Sequence, residues 1–450
     1  MFVEKDEGLY RRFLSLAVVL VLQNVVTLSV NLADNMMLGA YSETALAGVA
    51  AVNQIQFVYQ QLLHALGDGV VIVGSQYWGK NQTAPMKRLA SAAMRFGLVL
   101  SIALFGVVSL IPYRVMGIFT RDSGIIAEGA RYLNIIRFTY LFFAVTQILL
   151  ATLRSVETVK IAFKLSVLTL FVNCGINYVL INGHFGAPEM GVKGAAIGTL
   201  AARILECIVL LLYISKRERK LNLKWRDYLA WDRILTGDYL KVTIPMLTVQ
   251  GLWGVNTALQ TVILGHMTAN AIAANSVAST LFLMVKSMAV GSAAATSVMI
   301  GKAVGSGDRD RAVSYARSLQ RIFVLIGIVS GTLLFFIRIP VLSLYDLSAE
   351  TREMANTFLV ILSVVCVGMS YQMPTNNGII RGGGNPMFVV KMDLISIWLI
   401  VIPVSLFMAF VVKASPVVVV CCLNADQIFK VVPAFLEVRY GNWMRKLTRD

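Results

Sequence analysis

The stretch Asn31-Leu32-Ala33-Asp34-Asn35-Met36-Met37-Leu38-Gly39 decides the reading of this chain. It closes a run, residues 13–32, that holds no charged side chain and at about 20 residues is long enough to cross a bilayer as a helix. A carboxylate then appears before the helix has ended. An ionised Asp inside a span costs about 2.5–3.5 kcal/mol on insertion scales, so such a residue stands as a functional candidate. The simpler reading, a cap at the helix end near the headgroups, stays open at this point.

Composition extends that first helix to the whole chain. The 450 residues are 57% hydrophobic and 14% charged, with mean hydropathy +0.72, against about 25% charged residues in soluble domains. An all-α integral membrane protein follows, since no run alternates with period two. Net charge is +16, yet the basic residues lie in alternate loops between apolar runs and not along one face. They signal topology, not nucleic-acid binding. The five cysteines fall in apolar runs without CxxC spacing, and the three histidines are scattered, so neither a disulfide framework nor a metal cluster is expected. No cofactor is expected.

Apolar windows place twelve spans, at residues 13–38, 45–76, 92–112, 130–153, 161–182, 192–214, 241–265, 271–300, 318–338, 354–379, 388–411 and 415–436. Of the 40 Lys and Arg, 29 lie in the N-terminus, the even-numbered loops and the C-terminus, and seven in the odd-numbered loops. Both termini are therefore expected in the cytoplasm. The first dozen residues mix Glu4, Lys5, Asp6, Glu7, Arg11 and Arg12, and no cleavage pattern follows them. A multi-pass protein of a cell's inner (plasma) membrane is the expectation.

A shift of 226 residues lays the second half on the first: Leu38-Gly39 on Leu264-Gly265, Gly79 on Gly305, Arg95 on Arg321. One residue more aligns Arg154 with Arg381 and Lys164 with Lys391. Two pseudo-symmetric six-helix lobes are expected, residues 1–215 and 241–450, joined by a basic cytoplasmic linker at 216–240 in which Trp225, Tyr228 and Trp231 suggest a headgroup-level segment. Repeats of this kind carry a solute path and move by alternating access.

The intramembrane polar residues divide into two groups. Asp34, Asn173 and Asn177 (i, i+4, on one face), Thr199 and Gln147 belong to the first half. Carboxamide and hydroxyl oxygens around one carboxylate suit a proton or Na⁺ site, although each residue alone has the plainer reading of a helix–helix hydrogen bond. His64 and Asp68, one turn apart, admit a relay role. Arg203 with Glu206 and Asp426 with Lys430 are spaced to pair along their own helices. Lys286 and Asp393 have no neighbour in sequence that explains them.

The order Asn31-x-x-Asp34-x-x-x-Leu38-Gly39, Gln76-Tyr77-Trp78-Gly79-Lys80, Leu153-Arg154-Ser155, Asn173-x-x-x-Asn177-Tyr178 through Gly183, Gly186 and Pro188 to Gly191-Val192-x-Gly194-Ala195-Ala196-x-x-Thr199, then Pro245, Trp253 and Arg381-Gly382-Gly383-Gly384, resembles the multidrug and toxic compound extrusion (MATE) family across nearly the whole chain. The resemblance implies a cation-coupled antiporter exporting organic cations and amphipathic drugs, with H⁺ as the coupling ion and Na⁺ the alternative. It also implies cation-site roles for Asp34, Gln147, Asn173, Asn177 and Thr199, and a substrate pocket that includes Asp34, Gln250 and Trp253. Two departures stand out. Residues 13–38 contain no proline, where members often carry one, and Gln250 stands where many relatives place Glu. A monomer is expected. The alternative within transport is a flippase for a lipid-linked saccharide, which would need a cationic cavity; an enzyme would need a nucleophile–base or metal constellation, and the sequence offers neither.

Overall fold

The computed structural model describes residues 7–343, 345 and 347–449; the opening charges Glu4, Lys5 and Asp6 lie outside the described residues. The apolar runs fold as twelve helical spans. They are α1 (Glu7–Tyr41), α2 (Glu43–Gly79), α3 (Thr83–Leu110), α4 in two halves (Ser123–Ile136 and Thr139–Ser155), α5 (Lys160–Ile181), α6 (Val192–Lys216), α7 (Arg233–Gly265), α8 (Ala269–Gly305), α9 (Arg309–Leu342), α10 (Ala349–Ile380), α11 (Pro386–Val411) and α12 (Pro416–Tyr440). Among the described residues nine are long and apolar enough to cross a membrane, and the α4 pair makes ten. α2 instead spends its middle on Gln54, Gln56, Gln60, Gln61, His64 and Asp68.

Helix ends follow elementary capping chemistry. Asp122 accepts the backbone N–H groups of Gly124 at 2.8 Å and Ile125 at 3.1 Å to start α4, and Ser348 takes Thr351 N–H to start α10. The two halves of α4 meet at 54°. The break falls at Arg137, whose guanidinium lies 5.6 Å from the Phe105 ring and 5.3 Å from that of Phe138. The span expected at 130–153 is therefore two rods and not one. α10 and α11 widen into π-type turns at Pro374–Ile380, Leu394–Val401 and Phe407–Val411, where a helix gives up its regular hydrogen-bond register.

The chain divides into two compact units. One comprises Met1–Val21, Ser75–Lys80 and Ile244–Asp450, the other Leu22–Gly74 and Asn81–Thr243. Helices α1, α2 and α7 thus each contribute residues to both.

In the second of these units the basic linker is strapped to α3. Ser91 Oγ lies 2.8 Å from the carbonyls of both Tyr228 and Ala230. Lys87 pairs with Asp227 at 3.0 Å and Arg88 with Asp232 at 2.8 Å, while Arg95 covers the Trp231 ring. The linker's Asp227, Asp232 and Trp231 are therefore each engaged by α3. Gly69 of α2 passes so close to α7 that an added Cβ would lie 2.1 Å from Thr243 Oγ1, and the buried Tyr239 hydroxyl donates to the Leu66 carbonyl at 2.8 Å.

The first unit is pinned by its C-terminal tail. Gln76 Nε2 donates to the Arg445 carbonyl at 3.1 Å and Gln76 Oε1 accepts Leu447 N–H at 2.8 Å. Arg445 N–H reaches the Gly383 carbonyl at 2.8 Å. Trp443 is 2% exposed and fills the space over Gly383, where a Cβ would approach the ring to 2.5 Å. The Arg381-Gly-Gly-Gly run is thus the seat of the tail.

Candidate cation site

Small residues bring the candidate donors together. On α6, Gly194 and Gly198 stand four apart and face α5. A Cβ on Gly194 would lie 2.7 Å from the Leu180 backbone, and one on Gly198 would lie 2.1 Å from Asn177 Oδ1. Only bare backbone lets the two helices approach this closely, the small-xxx-small device of membrane helix pairs. The sequence carried that signal in Gly194-Ala195-Ala196-Ile197-Gly198.

A continuous row of hydrogen bonds results. Asn177 Nδ2 donates to Asp34 Oδ1 at 2.6 Å and to Asn173 Oδ1 at 3.2 Å, and Asn173 Nδ2 donates to Thr199 Oγ1 at 3.1 Å. α1, α5 and α6 each contribute, all within one unit. Asn173 and Asn177 are buried, Asp34 and Thr199 half-buried. Tyr132 of α4, buried and not singled out from sequence, lies against Thr199. Asn177 Oδ1 is buried and accepts no hydrogen bond among the described residues. A buried carboxamide oxygen left bare costs about 1–3 kcal/mol, a deficit that a cation, or a water carrying a proton, can cancel.

The remaining sequence candidates lie elsewhere. Gln147, on α4, has its backbone carbonyl over Gly67 of α2 and makes no side-chain hydrogen bond to the row among the described residues. Asp68 pairs with Arg154 of α4 at 2.9 Å, a partner 86 positions away, while His64 one turn earlier keeps an exposed side chain. Arg203 and Glu206 pair along α6 at 2.8 Å, with the guanidinium over the Phe143 ring. Gln250 and Trp253 sit on one face of α7 in the other unit.

That other unit has a second polar cluster. Lys430 is 3% exposed and holds Asp426 at 2.9 Å, as the i, i+4 spacing predicts, and also Asp393 at 2.7 Å. Gln427 donates to Asp426 at 2.7 Å, Gln372 to Gln427 at 2.8 Å and Asn376 to Gln372 at 2.9 Å. Asp393 is thereby explained by contact across helices. Among the described residues, no group of three or more His, Cys, Asp or Glu is placed to hold a metal ion.

Comparison with known proteins bears on this geometry. The MatE family model matches residues 20–179 and 245–407. A probable multidrug resistance protein NorM of Thermotoga maritima is 24% identical over 454 residues, covering 100% of this chain and 97% of its own. A probable multidrug resistance protein YoeA of Bacillus subtilis is 26% identical, with 88% and 86% covered. Among solved structures, a multidrug resistance MATE family transporter of the MOP superfamily in an outward-facing conformation superposes with a TM-score of 0.86 at 16% identity, covering 98% of each chain. The fold is thereby shared: twelve spans in two lobes. The flippase alternative draws no support from these relatives.

Proposed function

The chain belongs to the MatE family and is a multi-pass membrane transporter, not an enzyme, and from that premise we propose that it is a cation-coupled antiporter that exports organic cations and amphipathic drugs. The observation that carries the coupling half of this reading is the row Asp34–Asn177–Asn173–Thr199 with its bare Asn177 oxygen. A lone carboxylate among amide and hydroxyl groups exchanges one cation for another at low cost, because its partners reorient without gaining or losing charge. H⁺ is the proposed coupling ion and Na⁺ the alternative. Asp34 carries the inward cation and is relieved of it as an outward solute binds. Gln147 is assigned to cation binding on the family resemblance alone, His64 and Asp68 to a proton relay, and Gln250 with Trp253 to solute contact.

The two sequence lobes, residues 1–215 and 241–450 about the linker 216–240, are proposed to alternate in access, with both termini cytoplasmic and the protein working as a monomer in a cell's inner membrane. One elementary charge crossing 100 mV yields about 2.3 kcal/mol, and one pH unit adds about 1.4 kcal/mol. For a neutral or zwitterionic solute the two together sustain a gradient of several hundredfold; a monovalent cation gives up the first on leaving against the same potential, so one proton per solute then sustains about tenfold per pH unit.

The test is uptake of a fluorescent organic cation into inside-out proteoliposomes under an imposed pH gradient and, separately, a Na⁺ gradient, for the wild type and Asp34→Asn. The variant keeps an acceptor oxygen for Asn177 and loses only the charge. Uptake driven by one gradient in the wild type and by neither in Asp34→Asn is expected. Equal uptake by the two proteins would remove Asp34 from the coupling site; no uptake by either would remove the export reading.

A further inference from the structure

Lys430 of α12 sits inside a span at 3% exposure, between Asp426 of its own helix at 2.9 Å and Asp393 of α11 at 2.7 Å. One acid would neutralise one ammonium. Two leave the cluster with a formal charge of −1 where charge is costly, so pairing for stability does not account for the arrangement. The amides extend it: Asn376 donates to Gln372, Gln372 to Gln427 and Gln427 to Asp426 Oδ2. Every amide dipole in that chain presents its positive end toward the carboxylate. At the far end Asn376, 2% exposed, keeps a buried Oδ1 that accepts no hydrogen bond among the described residues.

The backbones of all three helices leave regular α geometry at this cluster. Asn376 lies within the π-type turn Pro374–Ile380 of α10, and Asp393 immediately precedes the one at Leu394–Val401 of α11. α12 is interrupted at Ala425 and again at Lys430, on either side of Asp426. π-type turns gather at functional sites, and interrupted helices are where membrane carriers hold small cations. Here the cation's position is taken by Lys430 Nζ. Lys286 of α8 faces a ring instead, its Nζ 5.2 Å from the centre of Trp253.

We propose that Asp393, Asp426 and the amides of Gln372, Asn376 and Gln427 form a site for a small monovalent cation that the tethered ammonium of Lys430 fills, so that this unit carries its own cation. The binding claim stands alone; its consequence, that coupling ions exchange at Asp34 and not here, rests on the antiport reading. The experiment is thermal unfolding of the full-length detergent-solubilised protein in methylammonium chloride, which reproduces the lysine head group. Tetramethylammonium chloride at the same concentration is the control, with the charge but no N–H to donate. Lys430→Ala vacates the site and gains a saturable stabilisation from methylammonium alone. At a hundred times the dissociation constant the folded state is favoured about a hundredfold further, which raises the unfolding temperature by several degrees. The wild type, its site filled, responds equally to the two salts, and so does Lys430→Ala combined with Asp393→Asn and Asp426→Asn, which has no acid left to hold the cation. No difference between the salts in Lys430→Ala, an equal preference for methylammonium in the wild type, or the preference kept in the triple variant overturns the proposal. Recovery of folded Lys430→Ala in methylammonium only is the expected result read at purification; recovery in neither salt overturns it. Because the measurement needs no gradient and leaves Asp34 intact, its failure leaves antiport standing, and a failure of antiport leaves this site standing.

Discussion

Gly198→Ala isolates the geometry of the candidate cation site from its charge. The added methyl group would sit 2.1 Å from Asn177 Oδ1, whereas heavy atoms in contact stay about 3.5 Å apart. The amide must therefore withdraw by more than ~1 Å. Its bonds to Asp34 at 2.6 Å and Asn173 at 3.2 Å then lengthen beyond useful range. A hydrogen bond to a charged group is worth about 1.5–3 kcal/mol and a neutral one about 0.5–1.5, so together about 2–4.5 kcal/mol is at stake. The helix preference for Ala over Gly returns about 1 kcal/mol. The control lies two residues before Asn177: at Gly175 a Cβ meets nothing within 4 Å, so Gly175→Ala should be neutral or slightly stabilising. Thermal unfolding of both purified variants, and the dependence of dye uptake on the coupling cation, provide the readout. Gly198→Ala is expected to unfold at lower temperature and to need at least tenfold more cation for half-maximal uptake, with Asp34 untouched. Were Gly198→Ala to match Gly175→Ala in both measurements, the hydrogen-bonded row would not be the coupling site.

Lys430→Met strips the only described cation from between Asp393 and Asp426 and should cost about 3–5 kcal/mol in unfolding, as removal of one partner from a buried pair does; adding Asp393→Asn and Asp426→Asn should restore most of it. Trp443→Ala empties the seat over Gly383 and should cost about 3–5 kcal/mol, with faster proteolysis of the tail as the accompanying sign. Asp232 in the linker accepts Leu235 N–H and the Arg88 guanidinium, contacts that hold its carboxyl below the ordinary range. Its contribution is therefore present above about pH 4 and lost as the pH falls through its depressed value; Asp232→Asn should flatten that part of the acid-unfolding curve and leave stability at neutral pH lower by no more than about 1 kcal/mol.

Local chemistry alone determined several things about this protein. Apolar run length fixed the helical spans, because an isolated span must satisfy its backbone within itself. Spacing along one helix fixed the Arg203–Glu206 and Asp426–Lys430 pairs and put Asn173 and Asn177 on one face, because helical neighbours are set by the 3.6-residue turn. Grouping Asp34 with the two asparagines and Thr199 came from their shared half of the chain and from family resemblance. The hydrogen-bonded row itself needed the Gly194–Gly198 approach. Tertiary structure alone decided every contact between helices distant in sequence: Asp68 with Arg154, Asp393 with Lys430, Lys286 with Trp253, and the tail over Gly383. It also broke α4 at Arg137 with no proline to announce it. The physical reason is common to all of these. An apolar helix in a bilayer records in its sequence that it must cross, while its rotation and depth against its neighbours are set by packing of small residues and by the few polar groups that must find one another.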